Sequence, residues 1–233
     1  VVIVPGQQSL LTWYDDHQRE LPWRLTNDPW AILLSEVLLQ QTQVSRGMVY
    51  WQRMVDAFPT VGSMAQAPVE AVLKAWEGAG YYSRARRLHA LSQRVMLSSS
   101  EGGFDGRLPS SYDELLSLPG IGPYTAAAVA SIAFGQPVAC VDGNIRRVMA
   151  RQTAQLNPTP KDVQRWADAS LEVERPGDWN QALMELGATV CTPKRVGCNH
   201  CPVAASCEGR STPERYPLPK QQRIKSCLLY TSD

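Results

Sequence analysis

Apolar residues recur at three- and four-residue spacing along nearly the whole chain, cut by prolines and glycines, and no run alternates apolar with polar residues between hairpin turns. That period belongs to helices with one buried face, so the fold expected is all-α. Candidate helices are Gly6 to His17, Pro29 to Gln43, Ser45 to Phe58, Val61 to Ala65, Pro68 to Trp76, Tyr82 to Ser98, Ser111 to Ser117, Tyr124 to Phe134, Gly143 to Ala150, Pro160 to Glu172, Pro176 to Leu186 and Pro202 to Glu208. Gly78-Ala79-Gly80, Glu101 to Leu108 and Leu156 to Thr159 read as loops. Ser211 to Lys225, with Pro213, Pro217 and Pro219 among basic residues, reads as a linker.

At 233 residues and 44% hydrophobic, the chain can fill a sizeable core, which excludes disorder for most of it. Its 23 Lys+Arg against 22 Asp+Glu leave a formal charge of +1, so any affinity for polyanions has to come from local patches. The longest nearly apolar stretch, Ala126 to Phe134, is about half of the roughly 20 residues that a bilayer span needs. Val1 to Val4 has neither a basic flank nor a small-residue cleavage pattern, so an intracellular, reducing location is expected, cytoplasmic if the source is bacterial, with no membrane partner. The segment 227–233, Cys227 to Asp233, looks like the translation of a sequencing-library adapter and is set aside from fold reasoning.

Five motifs carry chemistry. Leu118-Pro119-Gly120-Ile121-Gly122-Pro123-Tyr124-Thr125 joins two helical patterns. Gly120 and Gly122 in such a turn expose backbone N–H groups at a helix start, where a phosphate oxygen can bind; an ordinary helix connection has the same look. Asp142, before Gly143-Asn144 and the basic Arg146, Arg147 and Arg151, reads as an N-cap. Glu36 lies in a helix apolar on nearly every side, where burial favours its neutral form, unless an arginine such as Arg24 pairs with it. A neutral acid and an ionised Asp together form the pair used to cleave glycosidic bonds.

The cysteines follow Cys191-x6-Cys198-x2-Cys201-x5-Cys207, with a single short pair, which favours a four-thiolate iron-sulfur cluster over zinc. His200 between them reads as a loop residue. Gly80 to His89 carries Tyr81, Tyr82, Arg84, Arg86 and Arg87 with no acid, a combination suited to phosphate contact and to wedging between bases, or to a solvated helix face.

Together these residues resemble the MutY-type adenine DNA glycosylases of the helix-hairpin-helix base-excision superfamily, over about Leu11 to Lys220. The likeness rests on Leu21-Pro22-Trp23-Arg24, Ser35 to Val44, Gly80 to Arg86, Leu118 to Thr125, Val141 to Asn144, Asn180 to Gly187 and the four cysteines. It implies a six-helix barrel with the hairpin at 27–135 and a 4Fe-4S module from 1–26 and 136–210. A linker at 211–226 would lead to a Nudix-like domain that recognises 8-oxoguanine, and the chain ends in that linker.

The implied activity is hydrolysis of the bond between deoxyribose and an adenine mispaired with 8-oxoguanine or guanine in double-stranded DNA, by a monomer. Glu36 would protonate adenine N7 and help activate water, Asp142 would stabilise the sugar cation, and Tyr124 and Asn144 would support them. Trp23, Arg24, Leu39 and Gln181 would line the adenine pocket, while Gln41 and Tyr81 would probe or wedge the stack. The endonuclease III branch, which shares the fold and cysteines, has a lysine where this chain has Tyr124. A glycosylase/lyase for oxidised pyrimidines is therefore the second expectation, and a non-catalytic iron-sulfur DNA-binding module the third.

Overall fold

Prolines and short capping side chains set where the helices begin. A computed structural model describes residues 6–40 and 42–219, so Gln41 and the segment 227–233 lie outside the described residues. Eleven α-helices follow in order among the described residues: α1 Gln7–His17, α2 Pro29–Leu38, α3 Val44–Ala57, α4 Val61–Gln66, α5 Val69–Ala75, α6 Ser83–Met96, α7 Tyr112–Leu116, α8 Pro123–Phe134, α9 Gly143–Gln152, α10 Pro160–Ser170 and α11 Pro176–Thr189. Pro29, Pro123, Pro160 and Pro176 stand at first helical positions, where a missing N–H costs nothing. Asp28 accepts from Trp30 N at 3.1 Å, and Thr159 with Asp162 closes a reciprocal capping box. No strand forms among the described residues beyond an isolated bridge between Cys191 and Val196.

Most helix ends fall within a turn of the sequence expectation, with two exceptions. The helix expected over Pro29 to Gln43 stops at Leu38, because the guanidinium of Arg84 takes the carbonyls of Val37, Leu38 and Gln40. The helix expected over Pro202 to Glu208 is only a 3-10 turn at Ala204–Ser206. There Glu208 N and Gly209 N donate to the carbonyls of Gln152 and Arg151, so the segment is tied to the end of α9.

Two apolar clusters form around α8. Ala126, Val129 and Ala130 join the first, with Trp30, Leu34, Met54, Leu88 and Leu115. Ala127 and Ala128 face the second, with Leu10, Tyr14, Ile145, Val148, Trp179 and Leu183. A helix apolar on all sides is one buried on all sides, and small residues let its neighbours close in. At Gly177 of α11 a Cβ would stand 2.8 Å from Ile132 Cα.

No helix among the described residues is long and apolar enough to cross a membrane.

Candidate active site

A cleft of about 380 Å³ is lined by members of both apolar clusters, and Glu36 and Asp142 both open into it. Glu36 is only 8% exposed. Burial, more than anything else, pushes its carboxyl up to about 7; the hydroxyl of Tyr124 opposes this, the charge of Asp142 adds to it, and Arg24 opposes it. Arg24 is not its ion-pair partner. Its Nη2 donates to Glu185 Oε2 at 2.8 Å and its Nη1 to the Arg19 carbonyl at 3.0 Å.

Asp142 caps α9, as its place before Gly143 predicts: Oδ1 accepts from Ile145 N at 2.8 Å and Oδ2 from Asn144 Nδ2 at 2.7 Å. Burial nevertheless outweighs these bonds and raises its carboxyl above the usual range. The environment therefore does not depress the aspartate. Arg147 Nη2 donates to Asn144 Oδ1 at 2.8 Å and to the Gly187 carbonyl at 2.6 Å, which orients the amide that reaches Asp142. The segment leading to Asp142 is pinned by Asn180, which accepts from Cys140 N and donates to the carbonyl of Val138 and to Ser131 Oγ. Tyr124, at the start of α8, donates to Met184 Sδ at 3.2 Å.

Trp23, Arg24, Leu39, Gln181 and Asn144 line the same cleft. Trp23 meets Trp51 edge-on with ring centroids 6.0 Å apart. Glu185, which no sequence motif singles out, is 0% exposed and holds Arg19 at 2.6 Å and Arg24 at 2.8 Å. A glutamate on the apolar face of α11, four residues after Gln181, was the available signal.

The basic segment splits into two kinds of arginine. Arg86 is exposed, but Arg84, expected at a phosphate, is only 9% exposed and has its guanidinium turned onto backbone carbonyls. The carbonyls at the end of α2 and in the turn at Ala79 and Gly80 hold its guanidinium inward. Tyr81 is 63% exposed with φ of 49°. Gly120 has φ of 81°, and a Cβ there would lie 2.7 Å from Arg87 Cβ, so the hairpin needs glycine for its own packing; Gly122 faces open space.

Residues 34–172 match the family model described as HhH-GPD superfamily base excision DNA repair protein. The adenine DNA glycosylase of Mycolicibacterium smegmatis is 41% identical over 207 residues, which cover 87% of this chain and 69% of that protein. The chain belongs to the adenine DNA glycosylases of the HhH-GPD superfamily. The human adenine DNA glycosylase is 44% identical over 223 residues, 90% of this chain and 40% of that one. For the rat relative the figures are 42% over 245 residues, 97% and 46%, so the chain spans less than half the length of these two relatives. A thermostable thymine-DNA glycosylase superposes with a TM-score of 0.79 at 28% identity, over 88% of this chain and 94% of that one. Endonuclease III in a non-covalent DNA complex, with a TM-score of 0.74 at 23% identity, shares the fold.

For this HhH-GPD chain the cysteines remain. Cys191, Cys198, Cys201 and Cys207 line one cavity with Val148, Leu186 and Val190, and each is a free thiol. Arg151 Nη1 donates to Cys191 Sγ at 3.2 Å. Among the described residues no three His, Cys, Asp or Glu side chains stand so as to hold a metal ion. Four thiols around one apolar cavity, with a cation beside them, fit a larger four-thiolate group in the kind of donors they offer.

Proposed function

We propose that the chain is a monofunctional DNA glycosylase that hydrolyses the N-glycosidic bond of adenine mispaired with 8-oxoguanine or guanine. The reading rests above all on a buried and a half-buried carboxyl in one cleft, with Glu36 held protonated up to about 7. A protonated carboxyl at neutral pH can give its proton to adenine N7, which makes the base a better leaving group. As the bond between C1′ and N9 breaks, the sugar takes up positive charge, and the carboxylate of Asp142 stabilises it. Water then adds to C1′ and its proton returns to Glu36, leaving free adenine and an abasic site.

The adenine has to leave the duplex to reach this cleft, at a cost of a few kcal/mol. Tyr81, exposed and aromatic, is suited to fill the gap in the stack, and Gln41 has the probing role that the family resemblance implies. Arg86 and the N–H groups of the Gly120–Gly122 turn are suited to phosphates. Trp23, Arg24, Leu39 and Gln181 would enclose the base, with Tyr124 and Asn144 holding the two acids. Tyr124 offers no amine for attack on the sugar, which favours hydrolysis over a lyase reaction. Cys191, Cys198, Cys201 and Cys207 would hold a 4Fe-4S cluster, which supplies a cross-link between their loop and the helices around it and a centre able to exchange one electron. An intracellular, reducing compartment keeps such thiols available.

Chromatography of free base released from a duplex with adenine opposite 8-oxoguanine, beside the same duplex with adenine opposite thymine, tests this reading. Adenine released from the mispaired duplex in preference to the paired one is expected. Equal release from both, or none, would overturn it.

A further inference from the structure

Arg84 ties together two parts of the site that are far apart in sequence. Its Nη1 donates to the carbonyls of Val37 at 2.8 Å, Leu38 at 3.2 Å and Gln40 at 2.6 Å, the end of the helix that carries Glu36. Its Nη2 donates to those of Ala79 at 3.2 Å and Gly80 at 3.4 Å, in the turn that projects Tyr81. The guanidinium carbon lies 5.4 Å from the ring centres of both Trp76 and Tyr81. A helix C-terminus leaves carbonyls without partners and carries partial negative charge, so a cation there is favoured on both counts. The ring contact with Tyr81 adds a cation–π attraction that helps hold a backbone conformation unusual for tyrosine.

We propose that Arg84 is a positioning residue which sets the wedge Tyr81 and the acid Glu36 in register, so that insertion into the base stack and delivery of the base to the acid occur in one rigid geometry. The inference rests on the glycosylase reading above. It assigns Arg84 no contact with DNA. A planar fork meets both sets of carbonyls, whereas a lysine ammonium meets at most one.

Single-turnover excision on a duplex with adenine opposite 8-oxoguanine, run over a range of protein concentrations, gives a half-saturating concentration and a rate at saturation. Native protein, Arg84→Lys, Arg84→Gln, Tyr81→Ala and the double variant Arg84→Lys/Tyr81→Ala are compared, with active fraction measured for each. Arg84→Lys and Arg84→Gln are expected to raise the first constant and lower the second, each by roughly ten- to a hundred-fold, as a misplacement near 1 Å can. Tyr81→Ala should raise the half-saturating concentration, and in that background Arg84→Lys should lower the saturated rate with no further change in the first constant. Native constants in folded Arg84 variants, or effects that simply add to those of Tyr81→Ala, would overturn the proposal. So would failure of both Arg84 variants to fold, since the residue would then serve the fold alone. Native protein that excises no adenine would overturn the glycosylase reading together with this one; native excision with unaltered Arg84→Lys constants would overturn this one only.

Discussion

Glu36 is a carboxyl without a cation of its own, since the arginine nearest to hand is bound to Glu185. Its folded value of about 7 stands above its ordinary 4.5, so folding favours the protonated form. The stability it contributes is complete below 4.5 and is lost as pH rises through about 7. Glu36→Gln stays neutral throughout and should unfold like the native protein at pH 4. By pH 8 it should be more stable than native by about 3 kcal/mol, read from denaturant midpoints. Adenine excision by the native protein should fall as pH rises past 7, and Glu36→Gln should lose roughly a hundred- to ten-thousand-fold of the rate. A pH profile that stays flat to 9 would remove Glu36 as the acid. The burial of Glu36 was legible from its apolar helix; that Arg24 goes elsewhere was not, because Glu185, Arg19 and Arg24 meet only when α11 packs beside the 3-10 turn at Pro22–Arg24.

Helix starts were legible because they are local chemistry: a proline, a short polar cap and an apolar period suffice. Thr159→Ala removes such a cap from α10 and should lower stability by about 1 kcal/mol with the excision rate per folded molecule unchanged. Helix ends at the site were less legible, since α2 is stopped by Arg84 from a distant helix. The approach of α11 to the start of α9 is also invisible in sequence. At Gly187 a Cβ would stand 2.6 Å from Asn144 Cβ and 3.1 Å from its Cα. Gly187→Ala should therefore push Asn144 off Asp142, costing about 1–3 kcal/mol in thermal unfolding and lowering the excision rate as well. Loss of stability with an unaltered rate would separate the packing from the chemistry.

At the scale of the whole molecule, two apolar clusters share α8, and the candidate site opens between them with one acid on a helix of each. Glu36 comes from α2 and Asp142 from the cap of α9, so the pair exists only when both clusters have formed around α8. A formal charge of +1 hides this, because burial and not total charge tunes the two carboxyls. The cysteine loop is knitted to α9 through Arg151. Iron and sulfide analysis of protein purified without oxygen should find a four-iron cluster, lost in Cys198→Ser; zinc in its place would contradict the spacing argument. Two acids with no amine nucleophile beside them predict hydrolysis, and one gel tests that. A strand-labelled duplex with adenine opposite 8-oxoguanine is incubated with the protein and split into lanes with and without alkali. Strand breaks confined to the alkali lane are predicted. Breaks without alkali, or an intact strand in both lanes, would contradict hydrolysis by Glu36 and Asp142.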